Sequence, residues 1–376
     1  MKIIACLTAL SALVFCAKAY AVVISAPLYH VAYLGFAFDN GVDARLNNNN
    51  QIVGHVAPPS NSAIFFDARQ TTTLPSLGGP TSSVRPDALN DAGQVGGHSV
   101  TAGLANHAFL YTNGSMNDVG TLPGYPSSNI TDLNATGDAV GVSNSADGTS
   151  HRAFFYHGGA LTDLGPGTAS AINASGAIVG TSANNRAVLF QNGSEIDLGN
   201  FGDSVLTSAV DINDSGQIAG TSLVKVGNTF INHPFLYQSG VWHDLGVPAG
   251  VPLGIPTAIN NLGQIVGISS TLGSTDHPPF LYTNGAIYNL DSVLDSSGAG
   301  LSLEIAYDIN DKGVILAEGV SSQAGLTGFQ AVLLTPLPEP SSLLLAVLAA
   351  GITIVICCRQ RLATSRRAAV RQHGDE

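Results

Sequence analysis

Cysteine is almost missing from this chain. Of 376 residues four are cysteine: Cys6 and Cys16 near the start, Cys357 and Cys358 near the end. The long region between them can form no disulfide and no thiolate metal site, so strand pairing and packing must hold it together. Charge is scarce as well, at 11% of residues. Of the 14 Lys and Arg, seven lie between residues 22 and 358, where most of the 26 acidic residues also sit. Such an acidic region repels nucleic acid. A metalloprotease helix motif, a nucleophile elbow, a phosphate loop and a calcium-loop spacing are all absent, so no metal and no cofactor is expected.

What is present is glycine, 43 residues of it, with 45% hydrophobic residues. That combination fits many short strands joined by tight turns and excludes a disordered linker. A sentence recurs seven times. It runs from an Asp-Leu-Gly-like triplet, through an Ile-Asn-x-x-Gly hairpin and a Val-Gly, to an Ala-Phe-Leu-Tyr-like strand. The hairpin Asn falls at Asn47, Asn90, Asn134, Asn173, Asn213, Asn260 and Asn310, at intervals of 43, 44, 39, 40, 47 and 50 residues. A period of about 40–50 residues is that of a propeller, solenoid or array.

Asn suits the first position of a type I turn, because its side chain bonds the backbone further on. Gly three residues later, at Gly93, Gly137, Gly176, Gly216, Gly263 and Gly313, takes positive φ at little cost. The first copy has Asn50 instead, the residue that best tolerates that geometry after Gly. Each copy holds four short strands, the size of one propeller blade. The last copy lacks its final strand, and Val31–Gly35 is a spare one. We therefore expect an all-β, seven-bladed β-propeller over residues 22–335, closed by an N-terminal strand. An open β-solenoid is the alternative.

The ends differ in kind. Residues 1–21 read as a secretory signal peptide, with Lys2, an apolar run and Ala17, Ala19 and Ala21; an uncleaved anchor is the alternative. Residues 342–358 are nearly all apolar, the short end of a membrane span, and arginines follow. The expected arrangement is Sec export, with the repeat region tethered to the inner membrane by a transmembrane helix at 342–358. The remaining segments are a sorting region over 336–361 and a basic cytoplasmic tail over 362–376.

Pro338, Glu339 and Pro340, the apolar run and Arg359 and Arg361 together resemble the PEP-CTERM sorting signal. That resemblance implies handling by an exosortase-like enzyme and a link to exopolysaccharide. The hairpin and the Ala-Phe strand, with His107-Ala108-Phe109 as the fullest copy, resemble the HAF-repeat family of extracellular bacterial proteins. This second resemblance implies secretion and repeat architecture, and it names no activity.

No catalytic residue is assigned. The hairpin Asn and Gly residues are explained as scaffold. His107, Arg152, Arg186 and His233 share one repeat position and form a possible ligand ring in a closed propeller. Loops at Ser143–His151, Thr221–Asn232 and Ile268–His277 vary between copies and suit polar contacts. The expected function is a non-enzymatic cell-surface or matrix protein that binds or organises exopolysaccharide or surface proteins. The alternatives are a glycan-active hydrolase or lyase, which needs converging carboxylates, and a purely structural surface-layer component.

Overall fold

Each copy of the sentence folds into an antiparallel meander, and its words set the positions of the turns. In the second copy the strands are Val84–Leu89, Val95–Val100, Asn106–Thr112 and Ser115–Gly120, hydrogen-bonded in chain order. The first strand alternates buried and half-buried residues, the period-2 pattern of a sheet packed on its neighbour. The computed structural model describes residues 26–39, 44–58, 62–68, 70–79, 82–191, 193–246, 253–270, 278–326 and 328–338. The chain divides into two compact units. One is Tyr29–Pro336; the other is Met1–Leu28 with Leu337–Glu376, of which only 26–28 and 337–338 are described.

Two words of the template have a packing reason. The Gly of Val-Gly lies where its second strand crosses the bulged first strand. A Cβ at Gly141 would meet the Asn129 carbonyl and the Phe154 ring, and one at Gly220 the Ser208 carbonyl and the Phe235 ring. The bulge recurs just before the hairpin, for example between Ile130 and Asp132 and between Ala209 and Asp211. It adds local twist. The Ala-Phe pair plugs the seams between sheets: Ala108, Phe109, Ala153, Phe154, Phe235 and Phe280 are wholly buried. One seam joins Ala88 and Ala108 of the second copy to Ile130, Leu133 and Phe154 of the third. Burying one such Phe is worth roughly 2–3 kcal/mol.

The ring closes through the ends of the repeat unit. Tyr29–Tyr33 pairs antiparallel with Gly328–Pro336, in the register Tyr29↔Pro336, Val31↔Leu334 and Tyr33↔Val332. Tyr29 and Val31 are buried there with Leu303 and Leu334. Burial pushes the Tyr29 hydroxyl up to about 12. An open solenoid is thereby excluded, and the molecule is an all-β propeller.

Two expectations need correction. Seven separate four-stranded blades do not form: the strands make five four-stranded sheets and one seven-stranded sheet. The cause is one 13-residue strand, Ala160–Ile172. Its first half pairs with His151–His157 and its second half with Ile178–Ser182. Gly165 and Gly167, at φ +116° and +129°, carry the chain on without a break. Second, no helix among the described residues is long and apolar enough to cross a membrane. The expected transmembrane helix at 342–358 has about 17 residues where a span needs about 20. It is withdrawn, together with the inner-membrane anchoring and the localisation drawn from it. That run, the signal segment 1–21, Glu339, Pro340, Arg359 and Arg361 lie outside the described residues.

Candidate functional site

The hairpins of all seven copies meet at one polar mouth of about 230 Å³. Their Asn residues are scaffold in detail. Asn213 Oδ1 accepts from the N–H of Ser215 (3.1 Å) and of Gln217 (3.0 Å). Its Nδ2 donates to the Asn260 carbonyl of the next copy at 3.0 Å. The same link joins Asn47 to Asn90, Asn90 to Asn134, Asn173 to Asn213 and Asn260 to Asn310, and Asn310 returns to Asn47 at 3.1 Å. The glycines that follow hold φ near +75°, from Gly263 at +72° to Gly137 at +84°. Asn50 does so at +58°.

Outside this ring lies a belt of side chains one residue on. Asp91, Asp214, Asn261, Asp311 and Asn48 each accept from the backbone N–H of the preceding copy at 2.8–2.9 Å. Asn48 and Asn261 each donate to two flanking aspartates. The belt is satisfied internally. Among the described residues no group of three or more His, Cys, Asp or Glu could hold a metal ion.

Two residues before the hairpin Asn, three copies bury a carboxylate. Asp132, Asp211 and Asp308 each bond their own following N–H and reach into the next copy, at Ile172, Ile259 and Leu46 (2.8 Å each). Burial raises all three, Asp132 to about 7 and Asp308 to about 6. The Arg45 guanidinium opposes each shift. Sequence reading missed these groups, although three aspartates among seven aligned positions were visible.

The four residues of the expected ligand ring are not brought together. They lie in or just before the third strands of four separate copies; His107 and Arg152 are hydrogen-bonded to a carboxylate of their own sheet, and His233 lies near one without a hydrogen bond. His107 Nδ1 lies 3.0 Å from Asp118, Arg152 Nε 2.7 Å from Asp163, and His233 Nδ1 3.4 Å from Asp244. Those aspartates begin the Asp-Leu-Gly words, and each also accepts from the Gly N–H two residues on. Asp197 caps Gly199 likewise, and the Arg186 side chain makes no such ion pair among the described residues.

A cavity of about 770 Å³ lies between the first and second copies. Ser62, Thr73, Ser76, Ser82 and Ser83 bring hydroxyls to it, and Ala63, Leu74, Pro75 and Val84 an apolar wall. His55 also lines it and is 8% exposed. Its Nδ1 is buried without a hydrogen bond, 3.7 Å from Asp39, and Arg85 lies 4.0 Å beyond that carboxylate. Burial first, then Arg85, lowers the His55 imidazole, so it is neutral at pH 7; Asp39 opposes the shift.

No family model matches the chain, and no curated protein matches it. Solved structures with a related chain path include TolB from Acinetobacter baumannii (13% identical, 68% of this chain and 66% of that one, TM-score 0.40). A polysaccharide lyase, Uly1, is 10% identical over 86% of this chain and 95% of its own, at TM-score 0.40. A gluconolactonase from Xanthomonas campestris is 14% identical over 53% and 82%, at 0.32. Likeness this distant transfers neither ligand nor activity. The propeller assignment rests on the strand topology itself.

Proposed function

We propose that this chain is a non-enzymatic binding propeller for neutral, hydroxyl-rich glycans, with its recognition cleft between the first and second copies. The observation that carries the reading is the lining of that cleft. Five hydroxyls and a neutral imidazole face an apolar wall, and the described lining residues include no carboxylate, lysine or arginine. Such a surface favours an uncharged ligand that offers many hydroxyls and one apolar face. The volume lies within the range of small-ligand sites, roughly 300–1,000 Å³. The HAF-repeat and PEP-CTERM resemblances favour exopolysaccharide as the material that carries the ligand, and handling by an exosortase-like enzyme belongs to the same proposal.

The test is retention of the full chain on immobilised neutral polysaccharides, a glucan and a galactan, against the acidic alginate. Expected are binding to a neutral matrix and a drop of about tenfold in His55→Ala, measured below the lowered Tm that truncating a buried side chain brings. Equal retention on alginate, or none on any neutral matrix, would sink the reading. A glycan-active enzyme is the second reading, favoured by Asp39 lying behind His55, where it would orient the imidazole as a base. Turnover of one of those polysaccharides, lost in His55→Gln, would establish it instead.

A further inference from the structure

Four residues after the hairpin Asn, the copies carry Gln51, Gln94, Asp138, Ala177, Gln217, Gln264 and Val314. In four copies the glutamine carbonyl accepts the second Nδ2 hydrogen of the ring Asn, at 2.7–2.8 Å. The same glutamine lies against the turn Gly of the next copy. Where glutamine is absent, a substitute appears twice. Asp138 accepts from Asn134 at 3.3 Å, and Asn50, standing where other copies have Gly, accepts from Asn310 at 2.9 Å. Asn173 is the exception. Its Nδ2 donates to the Asn213 carbonyl, and no side chain among the described residues takes the second hydrogen. Asn173 is only 5% exposed.

The missing side chain leaves a space. Ala177 replaces glutamine, and a Cβ placed on Gly216 would meet nothing within 4 Å. A groove of about 510 Å³ opens there, on the hairpin side between the fourth and fifth copies. Leu189, Ile196, Leu198 and Tyr237 line it as an apolar wall, and Ser175, Ser215 and Ser239 supply hydroxyls. Gln191 lines it too. It stands at the end of the third strand, where Thr112, Gln238 and Thr283 meet the glutamine amides of other copies at 3.1–3.3 Å. Both anchors of an amide are thus in place, with no amide between them.

We infer that this groove binds an acetamido sugar, whose amide replaces the absent glutamine between Asn173 and Gln191. The acetamido carbonyl accepts from Asn173 Nδ2, its N–H donates to Gln191, and its methyl meets the apolar wall. Tyr237 and the serine hydroxyls suit the sugar ring, which has one apolar face and a hydroxyl edge. A peptide glutamine would bring flanking backbone amides that hydroxyls alone do not satisfy. The Asp214 carboxylate is already held by the Ala174 N–H and by Asn261, so it does not demand a cationic ligand.

The experiment is a chemical-shift titration of the full chain with N-acetylglucosamine, glucose and N-acetylglutamine amide, following the Asn173 side-chain amide. Saturable binding of N-acetylglucosamine is expected, with a Kd on the order of 1 mM. Glucose should bind at least about tenfold more weakly. Ala177→Gln, which installs the residue four other copies carry, should abolish binding without lowering Tm. Gln191→Ala, an exposed position, should weaken it several-fold and serves if Ala177→Gln folds poorly. His55→Ala should leave this site unchanged, so the two sites fail separately. No saturable binding, equal binding of glucose, or full binding by Ala177→Gln overturns the inference. Tighter binding of N-acetylglutamine amide overturns the sugar assignment.

Discussion

The fourth and fifth copies make the same hairpin from nearly the same residues, Ile172-Asn173-Ala174-Ser175-Gly176 and Ile212-Asn213-Asp214-Ser215-Gly216. The fifth closes the Nδ2 of its ring Asn with Gln217, and the fourth leaves that nitrogen with one bond among the described residues, beside Ala177. The fifth buries Asp211 two residues before its Asn, and the fourth has Ala171 and borrows Asp132 from the third copy. What the copies share is needed to make a blade, so shared residues say little about ligands. A departure from the template that no neighbour compensates is where a ligand has room.

That comparison can be broken at several points. The largest effect should come from the shared grammar. Gly180→Val and Gly220→Val place a Cβ on the inner-strand carbonyls of Thr168 and Ser208, and neither can move without shifting backbone. Each should cost more than about 3 kcal/mol, read as loss of soluble protein or a large fall in Tm. A mild effect in one copy alone would show that the copies do not share this constraint. Next come the ring asparagines. Asn213→Ala and Asn173→Ala should each destabilise by about 2–3 kcal/mol, because each side chain has four hydrogen bonds to lose, Asn173 gaining from the Ser175 hydroxyl what Asn213 gains from Gln217. Denaturant melts would check this, and a loss under about 1 kcal/mol at either site would remove the case for a closed asparagine ring.

The third test is pH. The folded pKa values of Asp132, Asp211 and Asp308 are raised, so the folded state holds protons that the unfolded chain has released. Their stabilising contribution is full below the unfolded value near pH 4 and is lost as pH rises through about 6–7. Tm should be several degrees lower at pH 8 than at pH 5. Asp132→Ala should flatten the profile while costing the bond to Ile172. A Tm that rises across that window would refute the assignment. The smallest effect belongs to the outer strands. Arg152→Ala in the third copy should leave the midpoint of a denaturant melt nearly unchanged, because exposed ion pairs are worth little, and Arg186→Ala in the fourth, which has no such pair among the described residues, should move it no more.

The propeller class was legible in the sequence because turn chemistry and strand period repeat together, and Asn and Gly have few other reasons to recur at fixed spacing. The seven-stranded sheet was not. Gly165-Pro166-Gly167 reads as a break, and only the pairing of Arg152 with Pro166 shows that the chain stays extended. The cleft at His55 was also hidden, because its lining comes from two neighbouring copies and from the irregular stretch after Thr73. By contrast, the odd Ala177 stood in plain view once the copies were aligned at their Asn. What the repeats could not reveal was that Asn50 and Asp138 make good the same deficit elsewhere while no side chain among the described residues does so for Asn173.

The pairing of Tyr29–Tyr33 with Gly328–Pro336 also sets an order of events. Tyr29–Tyr33 is made before the repeats and has its partner in the seventh of them, so it stays unpaired until that repeat is made. Joining two points about 300 residues apart costs loop entropy that grows only as the logarithm of that length. The barrier is therefore one of waiting more than of energy. During that wait both edges of the unfinished ring are open to other chains. A circular permutant cut at Asp147-Gly148 and joined across residues 29 and 336 would make the two partners neighbours and hand the long-range pairing to Ala139–Asn144 and His151–His157, so the edges left open during refolding should move to the third copy.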